Sequence, residues 1–272
     1  MNPDERVTLA HPFAYAEYWL SVIPALGNGL TMTTPVIRIN PAIDAKAARD
    51  AYKRDGFVQI ADIFEAHVAE HMARMIESLT YDLAFQGEED KPVLLTQEEI
   101  RQQGQQMGQR IRNLMDRTGD NYGFLYQSYP LITAYLTGRD AGHPIHRLTE
   151  WLNAEFTAFG AFITDEPRVA KADGQLTRYR PGDFIGLHDD VGSEDSHRLT
   201  AYTLGFTRRW RSDWGGQLLF HDHKGDVSRG FVPRFNTLTL FKVPQLHSVA
   251  VVAPYAKVHR HSVVGWLRDH TS

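Results

Sequence analysis

The amino-acid sequence predicts an α+β fold: a double-stranded β-helix (jelly roll) core with an N-terminal helical layer packed on one of its sheets. Two observations predict it. Between about residues 174 and 268, short runs of alternating apolar and polar residues are punctuated by Gly, Pro and Asp turns, the texture of an all-β unit. About eight such strands in two Greek-key sheets make a jelly roll. Between about residues 41 and 160, apolar residues recur instead mainly at helical spacing. The expected organisation is one domain over residues 36–272 with residues 1–35 as an N-terminal extension; Met32, just before the stretch from Thr33 to Pro41, reads as an alternative natural start.

In order, Asp44 to Arg54 carries the first helical pattern, ended by Asp55 and Gly56, and Phe57 to Ala61 alternates as a strand. A second helix begins near Phe64, with Phe64, Val68, Met72, Met75, Ile76 and Leu79 in one apolar stripe. It also carries His67, Glu70 and His71, an H-x-x-E-H pattern like the inverted zinc-peptidase signature. On the helical wheel His71 borders the apolar stripe while Glu70 and His67 turn towards water. An ordinary half-exposed flank is therefore expected, with a zinc peptidase as the rival. An acidic loop from Gln86 to Pro92 precedes a capping box, Thr96 with Glu99, opening a polar helix to about Arg117 that reads as a solvated surface helix or a lid. The aromatic stretch from Tyr122 to Pro130 reads as core more readily than as a site wall. His143 and His146 open a helix through Leu148, Trp151, Leu152 and Phe156, as polar helix-start residues. Strands are then expected near 175–180, 184–188, 199–206, 216–221, 236–242, 246–252 and 259–267.

Composition narrows the function. With 272 residues, 42% of them hydrophobic, the chain can bury a core without staples, and it has no cysteine, which excludes disulfides, zinc fingers and iron–sulfur clusters. Any metal must be held by nitrogen and oxygen. The net charge of −4 argues against a general nucleic-acid binder. From residue 172 onward there are 13 Lys/Arg against 10 Asp/Glu, leaving 16 against 23 before it, so the C-terminal part is mildly basic. No run is long enough to span a membrane. The apolar patch from Phe13 to Leu26 contains Glu17, and Asp4 and Glu5 spoil a signal-peptide start, so a cytoplasmic protein is expected.

The chemistry concentrates where the strand 184–188 should end. His188 and Asp190 form an H-x-D, and side chains at i and i+2 of a strand share a face, so imidazole and carboxylate converge while Asp189 faces away. A later histidine would complete a 2-His-1-carboxylate facial triad, the donor set of non-haem Fe(II) sites. His247, before an apolar β-branched run, supplies it. Arg260 and Ser262 share a face further on, a pair suited to capturing a carboxylate through charged hydrogen bonds worth roughly 1.5–3 kcal/mol each. Other clusters are weaker. His221, Asp222 and His223 precede the turn at Lys224 and read as an exposed hairpin end. Arg208, Arg209 and Arg211 read equally as solvated charge or as a hold on an anionic or peptide substrate. His259 and His261, alternating outward from Arg260, read as structural.

From Thr177 onward the motifs follow in order: His188 and Asp190; Asp213, Trp214, Gly215 and Gly216; Phe235 to Phe241; His247; then Arg260, Ser262, Gly265 and Trp266. In this the chain resembles the iron(II)/2-oxoglutarate-dependent dioxygenases, specifically the prolyl 4-hydroxylase-like branch and its bacterial relatives of the ribosomal-protein prolyl hydroxylases, over roughly residues 40–268. The resemblance implies Fe(II) on His188, Asp190 and His247. It implies a 2-oxoglutarate site built from Tyr179, Tyr202, Arg260 and Ser262, O₂ as second co-substrate, and ascorbate as a candidate reductant. Related halogenases replace the carboxylate with a small residue, so Asp190 implies hydroxylation. The favoured substrate is a prolyl residue of a protein or peptide; the alternatives are a free amino acid or small metabolite, or a non-catalytic jelly-roll binding module.

Overall fold

The computed structural model describes residues 35–88, 91–192 and 197–269. The expected N-terminal extension, with Met32, lies outside the described residues apart from Pro35. Helix α1 (Ala45–Asp55) is capped as its sequence predicts: the Asp44 carboxylate accepts from the Ala47 N–H, and Gly56 ends the helix at a left-handed φ of 74°. Strand β1 (Phe57–Ala61) leads to α2 (Ala66–Ser78), whose apolar stripe is buried throughout.

On either side of the acidic stretch, β2 (Asp82–Gln86) and β3 (Pro92–Leu95) pair antiparallel. All five residues of β2 are buried, which erases the period-two signal by which a strand is read. The capping box at Thr96 and Glu99 opens α3 (Gln97–Gln103), but Gly104, at φ 50°, interrupts the long helix expected there and α4 (Gln105–Thr118) resumes it. Then come β4 (Phe124–Tyr129), α5 (Leu131–Thr137), α6 (His146–Trp151), a π-helical turn at Leu152–Phe156, and α7 (Thr157–Thr164). His143 lies ahead of α6, its Nδ1 accepting from the Ile145 N–H.

The remaining strands are β5 (Lys171–Ala172), β6 (Gln175–Tyr179), β7 (Phe184–His188), β8 (Arg198–Gly205), β9 (Leu218–His221), β10 (Val227–Phe231), β11 (Thr237–Lys242), β12 (His247–Val249) and β13 (Arg260–Arg268). One antiparallel path of ten strands runs β1-β11-β8-β13-β6-β4-β7-β12-β9-β10. It holds the two expected jelly-roll sheets, β11-β8-β13-β6 and β7-β12-β9-β10, with β4 bridging them through pairings to both β6 and β7. The path curls until its ends meet: Phe57 of β1 lies 5.5 Å from Phe231 of β10 and 5.7 Å from Phe220 of β9, ring to ring.

The helical layer made by α1, α2, α6 and α7 covers the outer face of β11-β8-β13-β6 through Leu238, Leu240, Leu204, Val263 and Leu176. Each such side chain contributes roughly 1.5–3 kcal/mol on burial. A smaller cluster, with Met107 and Leu114 against Phe85, Leu125 and Phe184, seats α4 on the other side. Among the described residues no helix is long and apolar enough to cross a membrane.

Candidate metal centre and co-substrate cavity

Strands β7 and β12 are neighbours, and their register sets His188 directly opposite His247, with ring centroids 4.1 Å apart. Asp190 joins them by a different route from the strand alternation expected of an H-x-D. β7 ends at His188, and Asp190 lies beyond it at φ 65°. Asp visits this left-handed region more readily than most residues because its short polar side chain bonds locally. Arg198 Nη1 holds the turn by donating to the Asp190 carbonyl at 3.0 Å. Asp189 is turned elsewhere, its carboxylate accepting from the Val191 N–H at 3.0 Å. His188, Asp190 and His247 are all buried, and one donor atom from each lies within 4.8 Å of the others.

The hydrogen bonds behind the rings test whether this group suits a cation. His188 Nδ1 faces the Gly186 carbonyl at 2.9 Å, and His247 Nδ1 faces the Gln245 carbonyl at 2.7 Å. A carbonyl only accepts, so each Nδ1 carries the proton and each Nε2 of a neutral ring turns inward as a lone pair. Both Nε2 atoms lie 3.3 Å from Asp190, one at each carboxylate oxygen. Such lone pairs repel unless positive charge stands among them. The protonation equilibria reflect this. Burial alone would lower the His188 imidazole, yet Asp190 outweighs it and the net shift is upward. Burial would likewise raise Asp190, but His247 and His188 hold its carboxyl well below the usual range. Two imidazoles and a carboxylate are the donor set of non-haem Fe(II), and the residues present fit that ion.

A cavity leads from the triad past Tyr126, Gln175 and Tyr179 to Arg260. The β6–β13 register pairs Arg260 with Tyr179, and the guanidinium carbon lies 4.9 Å above the phenol ring. Arg260 is 4% exposed, and its Nη1 has no hydrogen-bond partner among the described residues. Burial lowers its pKa against the support of Tyr179, while the same burial pushes the Tyr179 phenol far up, keeping it a donor. A buried guanidinium with an open donor costs several kcal/mol unless an anion meets it. A carboxylate-bearing co-substrate fits that requirement.

The other two residues expected at this site are placed differently. Ser262 is in register with Thr177, their hydroxyl oxygens 3.2 Å apart, and it lines a second cavity that Arg260 also borders. Tyr202 borders the triad cavity, but its ring lies in the helix-side core, edge-on to Phe156 at 4.7 Å, and its hydroxyl donates to the Asp173 carbonyl at 2.8 Å. Strand alternation explains this. Neighbouring Ala201 joins the inner cluster of Leu218, Phe220, Phe241 and Trp266, so Tyr202 must face the other way.

A further phenol, Tyr126, also lines the cavity. It is stacked on Tyr179 at 5.3 Å, and the upstream ring Tyr122 lies 5.7 Å from His188. The aromatic stretch is thus core and cavity wall at once. Its signal was the spacing of Tyr122, Phe124, Tyr126 and Ser128, every second residue on one strand face.

The rival clusters take structural places. Arg208 forms ion pairs with Glu70 (3.0 Å) and Glu77 of α2, which commits the Glu70 of the H-x-x-E-H pattern. Arg211 pairs with Asp213. His221 meets Ser248 at 2.9 Å at the turn end of the β9–β10 hairpin, and His261 is half-buried with its imidazole pushed down to about 4 by burial and by Arg178.

Residues 174–268 match the family described as the 2OG-Fe(II) oxygenase superfamily; the match indicates a dioxygenase-type oxidoreductase, and that family uses Fe(II), 2-oxoglutarate and O₂. Solved structures share the fold at low identity. A prolyl-4-hydroxylase from Pseudomonas putida superposes with a TM-score of 0.52 at 18% identity, covering 83% of this chain and 99% of that one. An oxidoreductase of the 2OG-Fe(II) oxygenase family from Burkholderia pseudomallei gives 0.52 at 15%, covering 87% and 95%. A prolyl hydroxylase from Trichoplax adhaerens, in complex with a hypoxia inducible factor oxygen degradation domain peptide fragment, gives 0.53 at 14%, covering 83% and 89%. No curated protein matches the sequence.

Proposed function

We propose that the protein is an Fe(II)- and 2-oxoglutarate-dependent hydroxylase in which His188, Asp190 and His247 hold the metal, Arg260 and Tyr179 hold the co-substrate, and a prolyl residue of a protein or peptide is the substrate. The observation that carries the cofactor assignment is that Arg260, buried with an open donor, lines the same cavity as the converging triad. A 2-oxo dicarboxylate has one group for each of them. Bound iron with 2-oxoglutarate and O₂ supplies oxidative decarboxylation coupled to insertion of one oxygen atom into a C–H bond. The chain's own residues orient and shield: the backbone carbonyls of Gly186 and Gln245 fix the imidazole tautomers, Arg198 fixes the Asp190 turn, and Phe241 packs edge-on to His247 at 4.8 Å.

The prolyl substrate is supported by the sequence resemblance and by the peptide-bound neighbour. The Trp266 ring also borders the cavity. The helical layer and the jelly roll share one continuous core, which supports treating residues from 36 onward as one domain.

Anaerobic titration of metal-free protein with Fe(II) and 2-oxoglutarate tests the reading. A weak visible charge-transfer band is expected, lost in Asp190→Ala, followed by succinate formation on admitting O₂ and faster turnover with prolyl peptides. Folded protein that gives neither band nor succinate would refute it, and stimulation by free amino acids but not by peptides would move the substrate to a small molecule.

A further inference from the structure

We infer that Tyr126 is a co-substrate-positioning residue, oriented by a relay from Ser128 through Gln175 to donate its phenol proton to the distal carboxylate of the 2-oxo acid. This rests on the co-substrate site proposed above. Strands β4 and β6 pair, bringing Tyr126 and Ser128 of one beside Gln175 of the other. Ser128 Oγ lies 2.6 Å from Gln175 Oε1, and Gln175 Nε2 lies 3.2 Å from the Tyr126 hydroxyl. Those lengths set the direction of the relay, because the first is ordinary for O–H···O and short for N–H···O, while the second suits N–H···O. The amide oxygen therefore accepts a hydrogen bond from Ser128 and the amide N–H donates one to the Tyr126 oxygen.

With its oxygen accepting there, Tyr126 must send its own proton elsewhere, and no described residue accepts it. The ring is 1% exposed and borders the triad cavity. It stacks on Tyr179 at 5.3 Å and 26°, and Tyr179 in turn lies under Arg260, so phenol and guanidinium serve the same end of the cavity. Burial pushes the Tyr126 phenol up to about 12, which keeps it a donor at neutral pH.

The test compares wild type with Tyr126→Phe, reading equilibrium affinity from the charge-transfer band of the anaerobic Fe(II) protein. Two ligands are used: 2-oxoglutarate, and 2-oxopentanoate, which has the same chain length with a methyl in place of the distal carboxylate. Loss of one hydrogen bond to a charged group should weaken 2-oxoglutarate about ten-fold or more and leave 2-oxopentanoate unchanged. The unchanged ligand also shows that the variant's cavity is intact. Ser128→Ala, which frees the amide to turn, should cost a few-fold, again for 2-oxoglutarate alone. Equal weakening of both ligands, or of neither, overturns the inference. If Arg260→Met abolishes 2-oxoglutarate binding while Tyr126→Phe binds normally, the relay alone falls; if both variants bind normally, the co-substrate site falls with it.

Discussion

Replacing Arg260 by Met should separate stability from function. The side chains are similar in length, so packing changes cost less than about 1.5 kcal/mol. The variant loses the contact of the guanidinium with the Tyr179 ring, worth up to about 2 kcal/mol when desolvated. Against this, it removes a charge that is 4% exposed and whose Nη1 has no hydrogen-bond partner among the described residues, a penalty of several kcal/mol. The ligand-free variant should therefore be as stable as wild type or more stable, by about 1–2 kcal/mol. With ligand the order reverses. Losing two charged hydrogen bonds should weaken 2-oxoglutarate by at least about 100-fold. The stabilisation of about 2.7 kcal/mol that wild type gains at 100 times its Kd should then nearly vanish. Urea unfolding of the anaerobic Fe(II) protein, with and without 2-oxoglutarate, measures both quantities. A variant that keeps the wild-type ligand stabilisation, or that loses more than about 2 kcal/mol without ligand, would refute the role given to this residue.

Iron affinity should fall with acidification. The His188 pKa is raised above its ordinary value near 6.5 by Asp190, and a protonated imidazole cannot ligate, so protons compete increasingly as pH drops, with onset above that value. A dissociation constant flat between about pH 7.5 and about pH 5.5 would contradict the ligand assignment. Tyr202→Phe should cost about 1 kcal/mol of stability, through the lost bond to the Asp173 carbonyl, and leave 2-oxoglutarate affinity unchanged; weakened binding would return Tyr202 to the co-substrate site. Arg208→Ala, which breaks exposed ion pairs with Glu70 and Glu77, should cost less than about 1 kcal/mol in melting experiments and leave peptide turnover as it was. His188→Ala should abolish metal binding measured by titration, whereas His67→Ala should not.

Much was legible in one dimension because it depends on local rules. The caps at Asp44 and at Thr96 with Glu99, the stripe of α2 and the β-texture after residue 174 each follow from spacing within a few residues. The residue types at 188, 190, 247 and 260, in that order, named the chemistry before any fold was known. What only the tertiary structure decided is which face each side chain serves. β2 and β10 escaped because one is buried throughout and the other almost wholly exposed, and neither leaves an alternating trace. Asp190 reaches the triad through a left-handed turn rather than strand alternation. Tyr126 joins Tyr179 and Tyr202 in the cavity wall because sheet register and bridging by β4 join segments some fifty residues apart, a relation that no local periodicity encodes.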